Sequence, residues 1–244
     1  MSLPVFVAEQ IAGRPVGASL VLDGDEGRHA ATVRRIRVGE QVVLTDGAGT
    51  RATCTVAEVG KGSLALSVTA TEFVARARPA VTVVQAIPKG DRGELAVEVL
   101  TEIDVDVIVP WAAARSVAVW RGERAAKSLA KWQAAARSAA KQARRSWFPE
   151  VTAMASTTDV AALIAGADLA VVLHEDATDA LADLPLDGVD SVLVVVGPEG
   201  GISEEELAAF AEARVVRLGE SVLRTSTAGV AAVAALLSRT VRWS

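Results

Sequence analysis

The chain has 244 residues, 51% of them hydrophobic and 4% aromatic, with no tyrosine. That apolar content can fill one large or two small cores, which excludes a disordered chain, and so few rings leave little for base stacking beyond the five tryptophans. A formal net charge of -5 excludes a uniformly basic nucleic-acid binder, so any contact with a polyanion must come from local patches.

The single cysteine, Cys54, rules out an internal disulfide, and the opening MSLPVFVAEQ has neither the basic nor the apolar stretch of a secretory leader. The apolar run Ala228 to Leu237 is far short of the ~20 residues that cross a bilayer. A cytoplasmic protein without a membrane span is expected. His29, His174 and Cys54 are too scattered for any familiar ligand spacing, so no metal is expected either.

In chain order, short β-segments are predicted at Val5 to Val7, Ser19 to Leu22, Gln41 to Thr45, Ala52 to Val59 and Ser63 to Thr69, split by Gly and Asp turns. A small barrel closes such a set. Between the second and third, GDEGRHAATVRRIRVGE gathers His29, Arg34, Arg35 and Arg37, readable as an RNA-facing edge or as a solvated charged helix. At ARARP, Ala75 to Pro79, the rhythm changes, which divides the chain into residues 1–74 and 75–244.

Beyond that point VTVVQAI, VDVIVP, LAVVLHE, SVLVVVG and ARVVRLG have the near-continuous apolar character of parallel strands covered on both faces. Helices are predicted at Gly93 to Ile103, Arg124 to Trp147, Thr158 to Ala165, Glu204 to Ala213 and Thr227 to Arg239. The reading is an α/β fold with a parallel sheet, preceded by a small β-barrel.

From Arg121 to Arg145 the chain carries eight basic residues and one acid, Glu123. On a helical wheel Leu129, Trp132, Ala136, Ala140, Ala143 and Trp147 share one side, and Lys127, Lys131, Arg137, Lys141, Arg144 and Arg145 the other. A packed face and a free basic face suit an RNA backbone, with a solvated surface as the other reading, and Gln142 borders the basic arc where it could read a base edge.

The strand SVLVVVG runs into GPEGGISEEEL, where Gly197, Gly200 and Gly201 permit a tight turn at a strand's carboxyl end, the place where α/β folds bind ligands. Ser203 and Glu206 form a capping box, so a helix starts there, and Glu204 and Glu205 at its first turn disfavour a phosphate. The turn matches neither GxGxxG nor a P-loop, which weakens a dinucleotide-dependent oxidoreductase reading. A second polar loop, RLGESVLRTSTAG, places Arg224 just before an apolar helix.

Together the GPEGG turn and LG-x(3)-LRT-x-TA at Leu218 to Ala228 resemble the paired C-terminal signatures of the RsmE family, uracil-N3 methyltransferases of 16S rRNA within the SPOUT superfamily. IPKGDRGELAVEVLTEIDV and KWQAAARSAAKQARRSWFPEV are similar to its further motifs, and the region of His29 and Arg34-Arg35 to its PUA-like barrel. The resemblance implies a SPOUT trefoil-knot methyltransferase domain with a parallel sheet over 75–244, after a PUA-like RNA-binding barrel over 1–74. It implies S-adenosyl-L-methionine as methyl donor, a homodimer, and 16S rRNA in the small ribosomal subunit as partner.

Carried over residue by residue, the donor site takes Leu173, His174, Val196, Gly197, Pro198, Glu199, Gly200, Gly201, Leu218, Gly219, Leu223, Thr227 and Ala228, with Arg224 as the catalytic residue. RNA would meet His29, Arg34, Arg35, Lys89, Lys131, Lys141, Gln142, Arg144 and Arg145. Three positions depart from the family pattern: Ser226 and Lys141 stand where Glu is frequent, and no Arg in LPVFV matches the family's N-terminal one. Methylation of a ribose 2′-hydroxyl or of transfer RNA, and RNA binding without catalysis, remain alternatives.

Overall fold

The computed structural model describes residues 3–243, and the chain divides into two compact units. One comprises the residues up to Arg76 together with Arg144–Phe148; the other comprises Ala77–Ala143 and the residues from Pro149 onward.

The first unit is a five-stranded sheet built from β1 (Val5–Val7), β2 (Ser19–Leu22), β3 (Gln41–Thr45), β4 (Thr50–Gly60) and β5 (Ser63–Phe73), ordered β1-β3-β4-β5-β2. β1 pairs parallel with β3, and the other pairings are antiparallel. Alternation explains its core: Ala52, Cys54 and Val56 of β4 and Leu64, Leu66 and Val68 of β5 point inward at every second position. The chain between β2 and β3 is not one charged helix. It is α1 (Gly24–Arg28), then a wide π-turn over His29–Val33 closed by Arg35 at φ 53°. Ala30 and Ile36 anchor this turn in the core, which leaves Arg34, Arg35 and Arg37 exposed.

Arg144–Phe148 plug the same unit. A Cβ on Gly49 would lie 2.5 Å from the Trp147 ring and one on Gly47 2.9 Å from the Phe148 ring, so DGAG at Asp46 to Gly49 is a slot that only glycines leave open. Trp147 Nε1 donates to the Val74 carbonyl at 2.7 Å, the Arg76 guanidinium lies 4.0 Å over the indole, and Phe73 meets it edge-on.

In the second unit β6 (Ala80–Ala86), β7 (Val107–Trp111), β8 (Glu150–Val151), β9 (Leu169–Leu173), β10 (Asp179–Ala180), β11 (Ser191–Val196) and β12 (Arg214–Arg217) form one wholly parallel sheet, ordered β10-β12-β9-β11-β6-β7-β8. Both faces are covered, as the unbroken apolar strands require. Val83, Ile108, Val171 and Val194 pack with α2 (Arg92–Glu102), α3 (Glu123–Gln142) and α6 (Thr225–Leu237). Val84, Val109, Val172 and Val195 pack with α4 (Thr157–Ala165) and α5 (Glu204–Ala209).

Three helices differ from expectation by two residues or more at an end. α3 stops at Gln142 because Arg144 takes a left-handed φ of 56° and turns the chain away, a break that no glycine announces. Ala143 and Trp147 therefore leave the packed face of the wheel. α5 ends at Ala209, where Phe210 turns into the core, and α6 starts two residues early with Arg224 as its N-cap.

Near the C-terminus the Arg242 guanidinium is buried between Asp104 and Asp106, donating to Asp106 Oδ2 at 2.7 Å, to the Pro79 carbonyl at 2.6 Å and to the Asp104 carbonyl. Burial works against its charge, but hydrogen bonds and the fields of Asp106 and Asp104 outweigh that and hold it above the usual arginine range. Among the described residues no helix is long and apolar enough to cross a membrane, and no group of His, Cys, Asp and Glu could hold a metal ion.

Candidate functional site

A cavity of about 380 Å³ opens at the carboxyl ends of β9, β11 and β12, where Leu173, Val196 and Val216 line it. The turn from Gly197 to Ile202 forms one wall, the segment from Arg217 to Thr225 another, and Arg92, His174, Glu175 and Ala228 complete the lining.

The first wall is built on close approach. Gly201 sits at φ +75° with its N–H donating to the Pro198 carbonyl at 2.9 Å. A Cβ on Gly197 would come within 2.7 Å of the Ile202 side chain, and one on Gly200 within 2.9 Å of the Arg115 carbonyl. Buried Glu206 braces this wall: Oε2 accepts from Ser203 N at 3.0 Å, and Oε1 accepts from Ala114 N at 2.7 Å and Thr157 Oγ1 at 3.3 Å. The capping box read from the sequence is thus half of a larger junction joining α5, the start of α4 and the loop after β7. Glu205 is held below the ordinary carboxylate range by a backbone N–H at the helix start, then by the Ser203 hydroxyl, against a small opposing effect of burial, with the charge of Arg115 adding to the lowering.

The second wall differs. Among the described residues Gly219 to Leu223 make no backbone hydrogen bond, and Val222 and Leu223 are 74% and 41% exposed. Arg224 closes the wall as N-cap of α6, its carbonyl accepting from Thr227 N and Ala228 N at 2.9 Å while its side chain stays exposed. His174 N donates to the Val216 carbonyl, and its Nδ1 accepts from Asp176 N at 3.2 Å.

The expected donor residues converge here: Leu173, His174, Val196, Gly197, Pro198, Glu199, Gly201, Leu218, Gly219, Leu223 and Ala228 all line the cavity beside Arg224. Gly200 does not, since its α-carbon faces Arg115, and Thr227 gives way to Thr225 because α6 begins earlier. Arg92, Glu175 and Glu220 also line it and were missed. KGDRG following a strand was the available signal for Arg92, a cation in the first turn of the next helix.

Residues 76–237 match the model of a family described as RNA methyltransferase domain, and 22–69 that of an RNA methyltransferase PUA domain. The ribosomal RNA small subunit methyltransferase E of Mycobacterium bovis is 49% identical over 93% of this chain and 89% of its own, and that of Bacillus subtilis 29% identical over 90% of each. The crystal structure of ribosomal RNA small subunit methyltransferase E from Neisseria gonorrhoeae, bound to S-adenosyl methionine, superposes with a TM-score of 0.83 at 27% identity, covering 97% of this chain and 98% of that one. A methyltransferase from Legionella pneumophila with the same cofactor gives 0.85 at 27%, covering 98% of each. The chain belongs to the ribosomal RNA small subunit methyltransferase E family.

Its fold is therefore the SPOUT type with a PUA domain. Ser226, where the family resemblance puts a Glu, is 4% exposed and lies outside the cavity lining. Cationic residues fall in two groups. On α3, Lys127, Lys131 and Arg137 are exposed opposite buried Trp132, Ala136 and Ala140, Lys141 is half-buried, and Gln142 is exposed as the last helical residue. Lys131 Nζ lies 4.0 Å from Glu94 Oε1, a contact exposed enough to be weak. Lys89 is exposed, and its backbone N–H donates to Glu199 at 3.3 Å.

The remaining RNA candidates lie in the first unit. Arg34 and Arg35 are exposed, whereas His29 is half-buried with its ring edge-on to Phe6 at 5.9 Å. Arg144 and Arg145 lie past the end of α3, which corrects their placement on its wheel. Arg144 is exposed, but Arg145 is 7% exposed and is not part of a free basic arc.

Proposed function

We propose that this protein transfers a methyl group from S-adenosyl-L-methionine to N3 of a uridine in 16S rRNA of the small ribosomal subunit. The observation that carries the reading is a cavity at the carboxyl ends of three parallel strands with Arg224 on its rim, in a chain whose relatives at 49% identity are named for small-subunit rRNA methylation.

The pocket suits the donor. Its glycine turn places Gly197 and Gly201 on the lining, and its volume falls within the range of small-molecule sites. Gly197, Pro198, Gly201, Leu218 and Ala228 would hold the donor, which supplies an electrophilic methyl on a sulfonium. The chain's own residues do the rest. A uridine turned out of its stack reaches the pocket mouth. N3 is a poor nucleophile while protonated, so its proton must leave, and Arg224 stabilises the negative charge that then spreads onto the uracil carbonyl oxygens. Glu175, Glu199 and Glu220 are the carboxylates on the lining that can take that proton. Arg92 adds a second cation to the same cavity for the target nucleotide's anionic groups.

The barrel of residues 1–74 and the exposed face of α3 would grip the RNA backbone through Arg34, Arg35, Lys127 and Lys131. The methyltransferase unit would carry the C-terminal trefoil knot of its superfamily and act as a homodimer in the cytoplasm. The deciding experiment is transfer of labelled methyl to unmodified small-subunit RNA or particles, followed by mass analysis of a nucleoside digest. A 3-methyluridine product supports the reading. A 2′-O-methyl product, or label only in transfer RNA, overturns it.

A further inference from the structure

Gln85 is an amide in the middle of an aliphatic core. It ends the apolar run of β6, pairs in register with Val196 of β11, and is 1% exposed. Its Nε2 donates to the carbonyls of Ala86 at 3.1 Å and Thr225 at 3.2 Å, the second across 140 positions of sequence. Both neighbours are carbonyls, so the nitrogen must face them, and the amide orientation is fixed by chemistry. The consequence is a buried Oε1 with no hydrogen-bond partner. The directed contacts of this buried amide are therefore the two that its nitrogen makes.

What the amide holds is the start of α6. Thr225 is the first residue of that helix, lines the pocket, and directly follows Arg224, the N-cap. The helix can come this close because residue 229 is glycine: a Cβ there would lie 3.2 Å from Val196, 3.3 Å from Leu100 and 3.6 Å from Gln85 Oε1. The first turn of α6 is thus seated on a side-chain hydrogen bond from the central sheet, while Gly219 to Leu223 before it have no backbone bonds of their own.

We infer that Gln85 is a positioning residue for catalysis, fixing the Thr225 carbonyl and through it the Arg224 guanidinium at the pocket. This rests on the function proposed above. The test uses Gln85→Leu, with the more pliable Gln85→Met as a second replacement, each alone and combined with Arg224→Ala in the full-length protein. Three quantities are read: single-turnover methylation at saturating donor and RNA, donor affinity by calorimetry, and hydrogen exchange of the Ala228 and Gly229 amides.

Expected are a loss of about tenfold in rate, donor affinity within about twofold, and faster exchange in the first turn of α6. The double variants should be no slower than Arg224→Ala alone, because Gln85 acts through that guanidinium. Multiplying losses, or an unchanged rate in both folded single variants, would overturn the proposal. A parent protein that methylates nothing would refute the proposed function instead. The exchange measurement needs no substrate, and unchanged protection in both variants overturns the anchoring by itself.

Discussion

The turn from Gly197 to Ile202 and the segment from Gly219 to Leu223 line the same cavity, yet the first is tied to three other parts of the fold through Glu206 and the second has no backbone bond among the described residues. The braced wall is shaped before anything binds, which lowers the ordering cost of holding a small molecule. The open wall is held by no backbone hydrogen bond of its own and leaves Val222 and Leu223 exposed. Under the function proposed above, a pocket divided this way would separate holding the methyl donor from admitting the RNA.

Breaking the brace should have the largest effect. Glu206→Ala leaves the buried Ser203 N without its acceptor and removes the carboxylate that also holds Ala114 N and the Thr157 hydroxyl, at roughly 2 kcal/mol of stability, and should abolish donor binding. Chemical denaturation and calorimetry together check this, and an unchanged midpoint would show the brace to be idle. Next, Arg224→Ala should lower single-turnover methylation by about a hundredfold with donor affinity nearly constant, and Arg224→Lys should restore little, since an ammonium lacks the planar fork.

A smaller and purely local loss is expected from Gly201→Val. A β-branched residue at φ +75° cannot keep the turn, and donor affinity should fall about tenfold while the global fold persists, as near-ultraviolet dichroism would report. The mildest test lies outside both walls. Lys127→Glu with Lys131→Glu should flatten the salt dependence of RNA binding by about one unit of slope per lost phosphate contact and leave donor affinity alone. An unaltered slope would make the free face of α3 a solvated surface.

Strands were legible where one physical rule dominates. β2 and β3 match their predicted bounds because alternation and flanking turns say the same thing, and Ser203 announced the start of α5 through its own capping box. Less visible were features that depend on distant partners. Glu206 reads as a local cap, and nothing in SEEEL points to Ala114 or Thr157. The basic wheel placed Arg145 on a free surface because the left-handed turn at Arg144 carries no glycine or proline to mark it. The pocket's glycines were legible as a turn; their place opposite Arg92 and Arg224 comes from the order of strands, which periodicity does not contain.

The aromatic plug has a consequence for how the protein is made. The first unit's slot at Gly47 and Gly49 is filled by Trp147 and Phe148, so its sheet is translated long before its last piece. At ~5–20 residues per second the ribosome takes several seconds to travel from the end of that sheet to the plug. Throughout that interval the nascent sheet is a socket without its peg, and it becomes complete only after most of the first half of the second unit has also left the ribosome.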